Sequence, residues 1–213
     1  VSKADRIGMT DYFKVPWTKD ITRKEFCHLA YNTIDRAKDI EWKKVSPNPF
    51  NDTDNEKVIA LFLEGIIEGK EDGKFCPDDS ITREEAAKIL DRIGQYMNLA
   101  HTEVYFEFQD ESEISDWAMP AVQTVCNLGV MKGIGDNRFD PKGGYTVEQA
   151  ITTLVRMFDL VSDDKFAYMS FEDKLYANMP VDKNYMFSPL SIKMALMMAA
   201  TGADGKTQQE ILD

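Results

Sequence analysis

One unit is written three times along this chain, so any fold that houses it must set three similar structures against one another. Gly65-Ile-Ile-Glu-Gly69, Phe75, Pro77 and Ile81-Thr82 return 64 residues later as Gly129-Val-Met-Lys-Gly133, Phe139, Pro141 and Tyr145-Thr146. Ile21-Thr22-Arg23-Lys24-Glu25 pairs with Ile81-Thr82-Arg83-Glu84-Glu85 at a spacing of 60, and Phe50-Asn-Asp52 pairs with Phe108-Gln-Asp110. The first copy is short at its front, because its Phe-x-Asp element and most of a first helix would precede Val1.

Each copy reads as two helices around a loop. The first helix is amphipathic, over Asn55 to Glu64 and Asp116 to Leu128, and stops at a glycine suited to a C-terminal cap. The glycine-bounded turn and the Phe-x-Pro segment leave room for no more than a short strand. The second helix starts at the threonine and runs over Arg23 to about Ala37, Arg83 to about Met97 and Val147 to about Leu160. Phe26, Leu29, Ala30 and Ile34 show its apolar spacing. Such stripes are too wide to leave in water, so the copies pack on one another in one all-α domain over about residues 1–160, with repeats at about 1–45, 46–103 and 104–160.

Thr22-x-x-Glu25, Thr82-x-x-Glu85 and Thr146-x-x-Gln149 fit the capping box, in which the threonine oxygen and the glutamate or glutamine side chain satisfy each other's backbone amides. Helix initiation accounts for these residues without a ligand. Arginine in the first turn is different, since its charge faces the positive end of the helix dipole. Arg23 and Arg83 therefore need compensation, either from acids such as Asp20, Asp78 or Asp79, or from a carboxylate-bearing ligand held with the free amides of the helix start. Val147 replaces the arginine in the third copy, leaving at most two competent sites of this type.

The combination of Phe-x-Asp, an amphipathic helix, Gly-Ile-Ile-x-Gly, Phe-x-Pro and Ile-Thr-Arg-x-Glu resembles the S-layer homology domain over about three quarters of the chain. The resemblance implies a mainly α, pseudo-threefold prism whose second-type helices gather centrally. It implies grooves between repeats for secondary cell-wall polysaccharide carrying pyruvylated amino sugars, and hence a secreted protein at a bacterial cell surface or S-layer. The resemblance implies carbohydrate binding at the boxes Thr22, Arg23 and Glu25 and Thr82, Arg83 and Glu85, in which the arginine meets the ligand's acidic group, and this arginine role fails at Val147. Backbone around Gly65, Gly69, Gly129 and Gly133, together with Trp117, is implied as groove wall. Trp117 has no counterpart in the second copy, where Thr53 aligns, and a helix-seam aromatic competes with sugar stacking there as it does for Trp17.

Composition narrows the alternatives. The 213 residues are 43% hydrophobic, enough for a real core, and the net charge of -12 without basic runs disfavours nucleic acid and anionic lipid as partners. No apolar run reaches the length of a membrane span. Cys27, Cys76 and Cys126 form no metal-binding pair and read as small buried side chains, while His28 and His101 lack a triad or metal context. Asp136-Asn-Arg-Phe-Asp140 resembles a calcium loop, but places Pro141 and Val147 where an EF-hand needs glycine and glutamate. No cofactor is implied, and an enzyme ranks last because no nucleophile and base pair.

After Leu160 the repeat ends and a short polar connector opens a second unit at 161–213. Phe187-Ser-Pro-Leu-Ser-Ile192, the Ala- and Met-rich helix to Ala200 and Gly202-Ala-Asp-Gly-Lys-Thr207 resemble the N-terminal part of a serpin. A Met-rich amphipathic hairpin is the competing reading. Serpin inhibition needs a reactive loop and a large sheet that these residues do not include. A target protease is thus a partner only of a longer, surface-tethered parent, and the Ile192–Ala200 face should be covered by the prism or another chain. Inhibition by the parent, with the repeats serving structure or self-assembly, is the alternative to anchoring.

Overall fold

Three short backbone hydrogen bonds close the threonine boxes into a ring. Ile21 N–H donates to the carbonyl of Tyr145 at 2.8 Å, Tyr145 N–H to Ile81 at 3.3 Å, and Ile81 N–H to Ile21 at 3.1 Å. Flanking antiparallel bridges join Asp20 to Thr146, Thr22 to Ser80 and Thr82 to Gly144. The same cyclic logic continues into each helix start. Arg23 and Lys24 amides donate to Asp79 and Pro77, those of Arg83 and Glu84 to Gly143 and Pro141, and those of Val147 and Glu148 to Lys19 and Trp17. Every copy thus caps its helix with the loop of another copy, and the first copy takes part as fully as the other two.

The computed structural model describes residues 4, 9–10, 12–13, 16–38, 40–43, 48–101 and 104–162. The chain divides into two units, Val1–Asp164 and Lys165–Asp213. The second unit, with the Ala- and Met-rich helix expected to end at Ala200, lies outside the described residues.

Among the described residues the fold is mainly α, with no strand: α1 Arg23–Ala37, α2 Glu56–Leu63, α3 Arg83–Tyr96, α4 Met119–Asn127 and α5 Val147–Val161. Complete capping boxes start α1, α3 and α5, as the Thr-x-x-Glu and Thr-x-x-Gln spacing requires. The Asn55 side chain caps α2 through the amides of Lys57 and Val58. α4 begins at Met119 rather than Asp116, because residues 115–118 close as a turn in which the Ala118 and Met119 amides share the Ser115 carbonyl. Pro120, in the first turn of α4, has no N–H that a helix start would leave unsatisfied. Both first-type helices end where expected, at Gly65 and Gly129 with φ of 72° and 68°. Ile66 N–H then reaches back to Leu61 and Val130 N–H to Val125, pinning the turn that follows.

α1 packs on α2 and on α5, α3 packs on α4, and a smaller contact joins α3 to α5. The buried faces carry the residues that the helical spacing selects: Phe26, Leu29 and Ile34 on α1, Leu90 and Ile93 on α3, Leu154 and Phe158 on α5. Each such side chain contributes about 1.5–3 kcal/mol by leaving water. Tyr145 occupies the ring position held by Ile21 and Ile81 elsewhere and is fully buried with its edge against Phe26, ring centroids 6.0 Å apart. Its hydroxyl is satisfied by Thr153 Oγ1 at 2.7 Å, and burial pushes its pKa up to about 12. No helix among the described residues is long and apolar enough to cross a membrane.

Two arginine grooves as the candidate functional site

The Phe-x-Asp element builds the site from behind. Asp110 accepts from the amides of Phe139 and Asp140 at 2.8 and 2.7 Å, and Asp52 from those of Phe75 and Cys76 at 2.8 and 2.7 Å. For Asp52, the Phe75 amide leads in holding the carboxyl below its usual range. For Asp110, burial pushes the pKa up, but the Phe139 and Asp140 amides, its own amide and the nearby Arg138 together turn the net shift downward. Each aspartate thereby fixes a loop whose phenylalanine carbonyl points at an arginine from the preceding copy.

Arg23 Nε donates to Phe75 O at 3.0 Å and its Nη2 to Glu68 O at 3.2 Å. Arg83 repeats both contacts, Nε to Phe139 O at 2.8 Å and Nη2 to Lys132 O at 2.9 Å. Each guanidinium lies over the same phenylalanine ring, 4.9 Å from the Phe75 centroid and 5.0 Å from that of Phe139. Both residues are buried, at 7% and 4% exposure. Burial lowers the Arg83 pKa, with Tyr145 and Asp140 opposing the shift, and an arginine so placed stays charged.

Two separate grooves result. Arg23 lines one of about 190 Å³ with Gly69, Glu85, Lys88, Arg92 and Trp117. Arg83 lines another of about 440 Å³ with Gly133, Ile134, Tyr145, Gln149 and Arg156. A third cavity of about 360 Å³ holds Trp17 and shares Glu148, Thr152 and Arg156 with the second groove. Trp117 and Trp17 are half exposed, at 49% and 45%. Gly133 is needed for closeness, since a Cβ there would stand 2.6 Å from the Arg138 carbonyl.

The sequence-selected residues divide accordingly. Arg23, Gly69, Glu85 and Trp117 meet in one groove, and Arg83 and Gly133 in the other. Thr22, Glu25 and Thr82 serve capping boxes, and Gly65 and Gly129 terminate helices; none of these five lines either groove. Two expectations about compensation need correction. Asp78 and Asp79 pair with Lys24 and Lys70, both arginines turn to backbone carbonyls of the next copy, and the acid that does reach Arg23 is Glu85, 3.6 Å from its Nη1. The helix-start amides are not free either, because loop carbonyls and the Thr22 hydroxyl occupy those of Arg23, Lys24 and Glu25. Val147 is fully buried and keeps the ring without a charge.

Arg92 and Arg156 escaped the sequence reading although they recur at the repeat's own spacing of 64. Extending the repeat comparison two turns into α3 and α5 exposes them. Glu68 and Lys132 were also passed over, hidden inside the Gly-x-x-x-Gly turns as variable positions.

Three ring-linked copies with grooves between them define a repeat-built module, and comparison with known proteins identifies the repeat. The S-layer homology domain family matches residues 49–87 and 107–146, and the serpin (serine protease inhibitor) family matches residues 163–213. The chain carries S-layer homology repeats followed by a serpin-like stretch. The second repeat match ends at Thr146, one residue before the arginine is lost at Val147. Similar proteins include an endoglucanase of Bacillus sp. (strain KSM-635), 34% identical over 125 residues, 56% of this chain and 13% of that protein. An amylopullulanase of Thermoanaerobacterium thermosulfurigenes is 33% identical over 159 residues, 71% of this chain and 8% of that protein. S-layer protein EA1 of Bacillus anthracis is 34% identical over 104 residues, 48% of this chain and 12% of that protein. The chain thus spans only 8–13% of these relatives, and their shared part is the repeat region, so their catalytic names do not transfer.

Proposed function

We propose that the repeats anchor their protein non-covalently to a bacterial cell surface by binding secondary cell-wall polysaccharide, with pyruvylated sugars seated in the Arg23 and Arg83 grooves. The observation that carries this reading is the duplicated arginine. Two buried guanidinium groups, each held by two carbonyls of the neighbouring copy, present a fixed cation at the wall of an open groove. Such a cation suits a carboxylate, and a half-exposed tryptophan beside the Arg23 groove suits the apolar face of a sugar ring. Surface and S-layer proteins among the relatives agree with the location.

Pull-down on purified cell walls, before and after chemical removal of secondary polysaccharide, tests the proposal. Binding should vanish with the polysaccharide; undiminished binding to stripped walls would sink it. The serpin match favours a longer protein in which this module tethers a protease inhibitor to the surface. Covalent complex formation with a serine protease by the full protein, retained at the cell wall, checks that part.

A further inference from the structure

The two grooves are built alike but treat their arginines differently. In the first, Glu85 stands 3.6 Å from Arg23 Nη1, and Glu68 forms an ion pair with Arg92. In the second, the residues at the same repeat positions are Gln149 and Lys132, so both carboxylates are gone and one has become a cation. Arg156, the counterpart of Arg92, donates Nη1 to the Val130 carbonyl instead. Among the described residues no carboxylate lies within ion-pair distance of Arg83 or Arg156. Asp140, in the loop to which Arg83 donates, and Asp110, which holds that loop from behind, act on Arg83 at longer range, and neither lines the groove. The linings hold four cations against two carboxylates and three against one, so net charge is equal and the difference lies in pairing. A paired arginine must release its carboxylate before a ligand acid can take its place, and an unpaired one need not.

From this asymmetry we infer that the Arg83 groove is the principal acid-binding site and that Gln149 and Lys132 set its preference for anionic sugar, while Glu85 and Glu68 hold the Arg23 groove back as a weaker site. The inference rests on the polysaccharide reading and ranks the two sites within it. The larger cavity and the shared wall with Trp17, through Thr152 and Arg156, extend the same site toward a second sugar. Gln149 keeps the capping box through Thr146 N–H to Oε1 at 3.1 Å, as Glu85 does for Thr82 at 3.0 Å, so exchanging the two residue types preserves the helix start.

Calorimetric titration of the chain with a 4,6-pyruvyl-ketal methyl hexosaminide tests the ranking. Arg23→Ala should leave the affinity within about twofold and Arg83→Ala should lower it by about tenfold or more, as expected for loss of a charge-assisted pair. In the Arg23→Ala background, Gln149→Glu with Lys132→Glu should lower affinity about tenfold. In the Arg83→Ala background, Glu85→Gln with Glu68→Lys should raise it by a similar factor. Because each exchange installs the residue type found in the other copy, a helical circular dichroism spectrum like the wild type accompanies both. Equal losses for the two arginine variants, or unchanged affinity on exchange, would overturn the ranking while leaving the polysaccharide reading standing. Absence of any binding by the wild-type chain would overturn both.

Discussion

Replacing Asp110 with alanine removes the carboxylate that holds the loop behind the Arg83 groove. Asp110 is 4% exposed and accepts two amide hydrogen bonds, one from the buried Phe139 N–H at 2.8 Å and one from the partly buried Asp140 N–H at 2.7 Å. The Phe139 amide has no water to turn to, which costs about 1–3 kcal/mol, and the Asp140 amide adds about 1 kcal/mol. Summed, Asp110→Ala should destabilise the repeat domain by about 2–4 kcal/mol. With a urea slope of about 2 kcal/mol/M, the unfolding midpoint falls by about 1–2 M at unchanged slope. Asp52 makes the same pair of bonds from an exposed position, so Asp52→Ala should shift the midpoint clearly less. Phe139 O, the acceptor of Arg83 Nε, moves with its loop, and polysaccharide binding should weaken at urea-free conditions where the variant is still folded. Equal midpoints for Asp110→Ala and Asp52→Ala would refute the burial argument.

Further outcomes follow from the same geometry. Because folding lowers the carboxyl pKa of Asp110 and Asp52, their stabilisation is fully present above the unfolded value of about 3.9 and is lost as pH falls through the folded values; acid unfolding monitored by circular dichroism should begin below about pH 4 and be blunted in Asp110→Ala. Gly133→Ala should cost about 1–3 kcal/mol in urea unfolding, since its Cβ would stand 2.6 Å from the Arg138 carbonyl and one strand of the turn must shift. Conservative replacement of Val147 by isoleucine should leave wall binding unchanged, whereas Arg23→Ala with Arg83→Ala should abolish it in a sedimentation assay with purified walls.

Much of this architecture was legible because repetition makes the sequence check itself. Thr22, Thr82 and Thr146 each predicted a helix start within a residue of the observed one, since the capping box is a local arrangement that needs no tertiary information. Gly65 and Gly129 located two helix ends for the same reason. The arginine partners were not legible. Arg23 reaches carbonyls at residues 68 and 75, and backbone carbonyls carry no side-chain signature. Acids near the box in sequence were therefore the visible candidates, yet Asp78 and Asp79 pair with Lys24 and Lys70, and the carboxylate that reaches Arg23 is Glu85, 62 positions along the chain. The late start of α4 was likewise hidden, because the turn at 115–118 is closed by the Ser115 carbonyl while its side chain is held from another copy by Glu84, 3.0 Å from Ser115 Oγ. That Arg23 and Arg83 face two grooves rather than one depends on the ring, a pairing of residues 60 to 124 positions apart.

A crystal of the repeat domain soaked with a pyruvylated disaccharide from the cell-wall polymer tests the central claim most directly. The ketal carboxylate should lie within hydrogen-bonding distance of the Arg83 guanidinium, with sugar between the Gly133 turn and the Arg156 face of α5. Sugar bound elsewhere on the domain, with both arginine grooves empty, would contradict it.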